Sequence, residues 1–410
     1  MSQFRPILST LSRHKSAVAI LLLEVALTCA ILCNALYLVH RRVEAISIPS
    51  GMDEAHLLHI SLTGIGQQDD AMAQTRADLA ALRGLPGVAN ASMVSQVPLT
   101  NSSWNSGVEN LPDDKGIVVN ATMYMGEEGM LDTFGLAVTS GRAFSADDII
   151  DIPDEAAFSS FQPRVTIITH TLAEKLFPGE NAAGKPVYMG MPQPITVVGV
   201  VDALQRPSAR NWSAEESQYS MLFPVRFPYT VAHRYVIRTQ PGVAQPQVLD
   251  AAVGELRRLN PRRVILDKQS FGEMRQNYYA QDRATVWLLS IISLILLTVT
   301  AFGIVGLASF WVQQRTKQIG VRRALGATRG DVLRYFQTEN LMIVGGGIVL
   351  GMLLAFGINQ WLMRAYELPR LPWPVLPVGA LVLLALGQLA VLWPALRAAA
   401  IPPATATRSV

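Results

Sequence analysis

Disulfide, metal and catalytic chemistry are all poorly provided for in this sequence. It holds two cysteines, Cys29 and Cys33. They stand four apart inside an apolar run, on one side of a helix, and read as small packing residues. The long polar stretch after them has no cysteine at all, which excludes a disulfide framework there. Among six histidines, His56 and His59 lie three apart on a segment that reads as a strand, which turns them to opposite faces and away from a shared metal. Neither Gly-x-Ser-x-Gly nor His-Glu-x-x-His occurs, and Gly64-Ile-Gly66 lacks the third glycine of a dinucleotide loop. Charge is scarce too: charged residues are 16% and the net charge is +3, too little to suggest a nucleic-acid partner.

One string imitates a phosphate loop. Gly179-Glu-Asn-Ala-Ala-Gly184-Lys185 satisfies the pattern until Pro186, where a hydroxyl is needed for Mg²⁺. The following Val187-Tyr-Met reads as strand, whereas a phosphate loop must open a helix whose N-terminus faces the anion. No cofactor is expected on this chain.

Hydrophobic residues, by contrast, make up 50% of the chain and gather in runs. Four stretches, residues 17–39, 285–311, 341–363 and 375–393, reach the roughly 20 residues needed to cross about 30 Å of hydrocarbon. The first is too long for the core of a cleavable leader and reads as a retained anchor. Ahead of it, in residues 1–16, Phe4, Ile7, Leu8 and Leu11 recur at helical spacing beside Arg5, Arg13 and Lys15, as in a short helix lying on a lipid surface. Trp287, Trp311, Trp361, Tyr366 and Trp373 stand near span ends, where amphipathic rings favour the interface.

Orientation follows from the basic residues. Arg5, Arg13 and Lys15 precede the first span, and an arginine-rich segment over residues 314–335 separates the second from the third. Arg397 and Arg408 follow the fourth. The positive-inside rule puts all three, with both termini, in the cytoplasm. Arg41 and Arg42 dissent, but they open a segment of well over 200 residues, and long translocated domains largely escape the rule. That segment, residues 43–282, is the expected outside domain. Residues 56–62, 71–82 and 88–97 read as strand, helix and strand, and so do 233–239, 247–259 and 262–266. Two βαβ units around a long insertion suggest an α+β layer resembling a ferredoxin-like fold. The insertion, about 111–229, reads as a β-rich subdomain with a helix at 171–176. Residues 271–283 carry no breaker except Gly272 and extend the second span outward as a stalk.

Two intramembrane features stand out. Glu24 puts a carboxylate in lipid at a cost of about 2.5 kcal/mol or more, so it faces protein or a substrate path, or sits protonated. Gly347 and Gly351 form a small-xxx-small pair that lets another helix approach closely, in this chain or in a second copy.

The arginine-rich segment, Arg315-Thr-Lys-Gln-Ile-Gly-Val-Arg-Arg-Ala-Leu-Gly-Ala-Thr-Arg-Gly-Asp-Val-Leu, resembles the signature of the MacB/FtsX-like family of ABC transporter permeases. Trp393-Pro-Ala-Leu-Arg-Ala-Ala-Ala-Ile-Pro-Pro resembles the family's closing motif. Gly141-Arg-Ala-Phe-Ser-Ala-Asp-Asp and Thr171-Leu-Ala-Glu-Lys-Leu-Phe-Pro-Gly through Val197-Val-Gly-Val resemble its periplasmic core domain, to which the false phosphate loop then belongs. The resemblance implies a four-span half-transporter in the bacterial inner membrane. Its FtsX-like part would cover residues 285–410, and its cytoplasmic loop would dock on an ABC ATPase. Arg315, Lys317, Gln318, Arg322, Arg323, Gly326, Arg329 and Asp331 would carry the docking, with lipid-headgroup anchoring as the alternative for the arginines. The family usually has Glu where this chain has Gln318. Thr328-x-x-Asp331 has capping-box form and starts a helix that runs into the third span. ATP and Mg²⁺ would sit on a separate ATPase chain, with a second permease copy or paralogue and a membrane-fusion protein as further partners. A non-transporting FtsX-like regulator of cell-envelope proteins is the alternative, and a receptor a more distant one.

Overall fold

The computed structural model describes residues 15–66, 70–112, 116–127, 129–154, 161–190, 192–210, 212–366 and 375–400. The expected surface helix over residues 1–16 falls almost wholly outside them. In chain order the first elements are α1 (Lys15–Ser47), β1 (Leu57–Gly64), α2 (Ala71–Arg83), β2 (Val88–Val94), β3 (Asn105–Glu109), β4 (Val118–Gly126), α3 (Met130–Phe134), β5 (Val138–Gly141) and β6 (Ile150–Asp151). Next come β7 (Val165–Thr169), α4 (His170–Leu176), β8 (Pro186–Val187), β9 (Ile195–Val201), β10 (Ser220–Arg226), α5 (Tyr229–Ala232), β11 (Arg234–Thr239), α6 (Gln245–Leu259) and β12 (Arg263–Ser270). Helices α7 (Phe271–Tyr278), α8 (Ala280–Gln314), α9 (Thr316–Ala324), α10 (Arg329–Tyr366) and α11 (Val375–Ala399) follow among the described residues. Two compact units result: Met1–Val43 with Asp282–Val410, and Glu44–Gln281.

The α+β unit is built on the two βαβ passes. Strands β12-β1-β11-β2 pair antiparallel in that order, the arrangement of a ferredoxin-like layer. Alternation along β1 decides the layering: Leu58, Ile60 and Leu62 enter one core with Leu79 and Leu82 of α2 and Val248, Ala252 and Leu256 of α6. Leu57, on the opposite face, joins Met130 and Phe134 of α3 and Phe271 and Met274 of α7. The insertion does not form a sheet of its own. Val94 pairs with Gly126, so β4 continues the layer, and the path runs on through β10, β7, β9 and β5. Nor does it begin at residue 111, because β3 at Asn105–Glu109 already pairs with β4. Hydrogen bonding along an edge recruits strands whatever their sequence distance.

The expected stalk over residues 271–283 is broken at Tyr279, which has φ −94° and ψ 9° and separates α7 from α8. Tyr278 and Tyr279 are both buried, with rings 4.8 Å apart at 84°. Successive side chains on a helix diverge by about 100°, so burying both neighbours in one core requires the chain to leave the helical period.

In the helical unit, α1, α8, α10 and α11 are each long and apolar enough to span a membrane. They pack through Val25 and Cys29 of α1, Ile304 and Trp311 of α8, Val344 and Ile348 of α10, and Leu383 of α11. Thr28 and Thr300 share a buried hydrogen bond of 2.9 Å. Arg42, at odds with the positive-inside count, donates to the buried carboxylate of Asp282 at 2.5 Å. Trp287 and Trp361 are exposed, whereas Trp311 is 4% exposed and packs inside. Its ring lies 5.4 Å from the guanidinium carbon of Arg315, a cation–π contact that takes the place of the interface. The side chains of Tyr366 and Trp373 lie outside the described residues.

Candidate functional site

The arginine-rich segment folds as a helical elbow. Helix α8 ends at Gln314, and Arg315, with φ −102° and ψ 9°, turns the chain into α9. Helix α9 then stops through a glycine cap. Gly326 has φ +104°, its amide donates to Arg323 O, and Ala327 donates to Arg322 O. This is the paired C-terminal bonding that a residue without a Cβ permits at lowest strain. Two residues later the next helix opens on a capping box. The Thr328 amide donates to Asp331 Oδ2 at 2.9 Å, and the Asp331 amide returns a bond to Thr328 Oγ1 at 3.2 Å. Residues 314–335 are thus mostly helix, and α10 begins twelve residues ahead of the expected span at 341, because the box nucleates it there.

Burial sorts the elbow into two faces. Ile319 packs with Val312, Val332, Phe336, Ala395 and Ala398, which pins α9 to the base of α10 and α11. Lys317, Gln318, Val321, Arg322 and Leu325 form the exposed stripe, at spacings of one, three and four residues around a helix. Val321 is 50% exposed and Leu325 83%. Those two apolar residues were missed in the sequence, though their four-residue spacing beside basic residues was a usable signal.

Arg315 is paired within the chain. It is 9% exposed, and its Nη1 lies 3.0 and 2.9 Å from the two carboxylate oxygens of Glu339 on α10, itself 1% exposed. The guanidinium is paired inside its own chain and braces the elbow. Glu339 was invisible to motif reasoning. Beside the pair, Asn340 Nδ2 donates to Gly387 O on α11 at 2.8 Å.

A cleft runs between α9 and α10. Ile319, Val332 and Phe336 line it together with Arg315, Gln318, Arg322, Ala327, Asp331 and Tyr335. The Arg322 guanidinium lies 5.2 Å from the Tyr335 ring. Of the expected docking residues, the structure brings Arg315, Gln318, Arg322 and Asp331 to this cleft and leaves Lys317, Arg323, Gly326 and Arg329 off it. An apolar floor with a mixed-charge rim suits a protein segment rather than a small metabolite. Among the described residues no cluster of three or more His, Cys, Asp or Glu could hold a metal.

The other sequence candidates lie elsewhere. Glu24 is half-buried, its oxygens 2.7 and 3.0 Å from where a Cβ on Gly303 of α8 would stand. Gly347 and Gly351 face α1 of the same chain: an added Cβ would meet Val25 at 2.8 Å and Cys29 at 2.5 Å. The false phosphate loop spends its amides internally, Gly184 donating to Val197 O and Lys185 to Ala182 O, while the Lys185 ammonium pairs with Glu180. His56 precedes the strand, which starts at Leu57, and pairs with Asp53 at 2.9 Å. His59 is buried 3.5 Å from Asp267, and its removal from water holds its pKa below the ordinary value.

The family model of the MacB-like periplasmic core domain matches residues 30–254, more than half of the chain, and that of the FtsX-like permease C-terminal region matches residues 290–403. The chain belongs to the MacB/FtsX-like ABC transporter permeases. This permease is 30% identical over 248 residues to the macrolide export ATP-binding/permease protein MacB of Chromobacterium violaceum, covering 60% of this chain and 36% of that one. It is 25% identical over 302 residues to the uncharacterized ABC transporter permease YvrN of Bacillus subtilis, covering 70% and 69%. The MacB of Neisseria gonorrhoeae is 25% identical over 277 residues, 65% of this chain and 39% of that one. The chain therefore spans little more than a third of the length of these MacB relatives. Among solved structures, the periplasmic region of MacB from Actinobacillus actinomycetemcomitans is similar at 15% identity and a TM-score of 0.34, covering 55% of this chain and 94% of that one, too low to add to the strand order described above. With four helices among the described residues long and apolar enough to cross a membrane, the permease is a multi-pass protein of the inner membrane.

Proposed function

We propose that this permease converts ATP hydrolysis on a separate ABC ATPase into movement of its α+β domain, and that the α9–α10 elbow is where the force enters. The carrying observation is the division of labour along α9. Ile319 and the Arg315–Glu339 pair root the helix in the membrane unit, while Lys317, Gln318, Val321, Arg322 and Leu325 face outward beside a cleft. A rooted helix with an apolar and basic outer stripe is suited to receive a push from another protein and to pass it into α10. The positive-inside rule supports an elbow and termini on the cytoplasmic side, with the α+β domain in the periplasm. ATP and Mg²⁺ belong to the partner; within these 410 residues the one phosphate-loop-like string lacks its hydroxyl. A second copy or a paralogue completes the transporter, and the work is done outside the membrane, for export.

The test is co-purification. Val321→Asp combined with Arg322→Glu should abolish recovery of an ABC ATPase with the tagged permease while leaving its yield and melting unchanged. Retained ATPase with normal permease-stimulated hydrolysis would sink the docking reading.

A further inference from the structure

Within the α+β unit, the end of α1 and the approach to α8 meet on one guanidinium. Arg275 of α7 donates through Nε and Nη2 to the two carboxylate oxygens of Glu54, at 2.8 Å each. It also donates through Nη1 to Ile46 O at 3.0 Å and through Nη2 to Ile48 O at 3.2 Å. Ile46 O lies in the last turn of α1, where carbonyls lack helical partners and carry the negative end of the dipole. One planar fork thus joins the end of α1, the turn that opens β1, and α7, which leads into α8. A fork of this kind fixes geometry in a way a point charge does not.

A second fastening is independent of the first. The loop between β9 and β10 reaches the α1 side where the Gln205 amide donates to Ser50 O and Gln218 Nε2 to Pro49 O, both at 2.9 Å. The same loop reaches α7 where the Ala209 amide donates to the Tyr278 hydroxyl at 3.1 Å and Gln205 Nε2 to the Tyr279 hydroxyl at 3.0 Å. Gly51, at φ +83°, runs so close to this loop that a Cβ would stand 1.9 Å from Ala203 O. Backbone is pressed on backbone there, and only glycine fits.

We infer that Arg275, Glu54 and the β9–β10 loop form a rigid joint that locks the end of α1 to the end of α7, so that α1 and α8 deliver one common displacement to the sheet. Arg275 is its positioning residue. Without the joint, each helix end would move on its own linker and the displacement would dissipate before reaching the strands. The joint rests on the mechanical reading proposed above, but its geometry is testable apart from it.

The full-length permease, with Cys29 and Cys33 replaced by alanine, carries spin labels at the exposed positions Glu44 and Ala280. In nanodiscs without nucleotide, their distance distribution should be a single narrow peak. Arg275→Gln should lose that narrow peak, Glu54→Gln should broaden it less because the carbonyl contacts remain, and Arg275→Lys should fail to restore it. A narrow peak in folded Arg275→Gln, or a broad one in the parent, overturns the joint. If Arg275→Gln does not fold, Glu54→Gln is judged by the same criterion. The mechanical reading is tested separately, with labels at Ser16 and Gln313 and the partner ATPase trapped by ATP and vanadate. No change there overturns that reading and leaves the joint standing.

Discussion

Arg315 and Glu339, twenty-four residues apart, form a buried ion pair in which one guanidinium nitrogen meets both carboxylate oxygens, at 3.0 and 2.9 Å. The pair closes the corner between α9 and the body of α10. Its consequence is that the first arginine of the arginine-rich segment works inward.

Removing one partner of such a pair strands the other charge away from water, at about 3–5 kcal/mol. Glu339→Ala should therefore lower the melting temperature and yield of the detergent-solubilised permease, with Arg315→Ala close behind. The double variant Arg315→Met, Glu339→Leu should recover much of the stability, since it leaves no orphan charge. A double variant as unstable as the singles would show that the pair is not the source of the loss.

Leu325→Asp tests the outer face. The side chain is 83% exposed, so the expected change in stability is within about 0.5 kcal/mol. ATPase recovery in a pull-down should nevertheless fall sharply. An unchanged pull-down assigns the partner contact to some other surface.

The glycines of α10 should not be interchangeable. Gly351→Val drives a side chain into Cys29 and the Ala26 carbonyl and should cost about 1–3 kcal/mol or more, read as a lower melting point. Gly345 has nothing within 4 Å of its would-be Cβ, so Gly345→Ala should melt like the parent. Equal losses at the two positions would contradict the packing of α10 on α1.

His59 gives the α+β domain a pH dependence of stated sign. Burial lowers its pKa in the folded chain, partly opposed by Asp267 and reinforced by Arg234, so below the unfolded value of about 6.5 the unfolded chain binds the proton more readily. Its contribution is fully present above that pH and is lost as pH falls toward the folded pKa. Denaturant melts of the parent and of His59→Gln should diverge at neutral pH and converge in mild acid. Parallel curves from neutral to mildly acidic pH would remove His59 from the account.

What was legible in the sequence was what short-range physics writes there. Hydropathy over a span, period-two and period-3.6 alternation, and the three-residue spacing of Thr328 and Asp331 each act within a few residues. The four spans, the two βαβ passes and the start of α10 could therefore be read without coordinates. The family motifs were contiguous strings, legible for the same reason.

The tertiary structure decided everything that depends on which distant residues meet. Glu339 carries no motif that names Arg315 as its partner. Gly347 and Gly351 advertise close approach without saying that the approaching helix is α1 of the same chain. The single Val94–Gly126 pairing fuses insertion and core into one sheet, and no local pattern records it. Tyr279 breaks an otherwise helical stretch because two neighbouring tyrosines are both drawn into one core. Local propensity is worth tenths of a kilocalorie per residue, whereas burial and ion pairing across the fold are worth several, so wherever the two compete the long-range contact prevails.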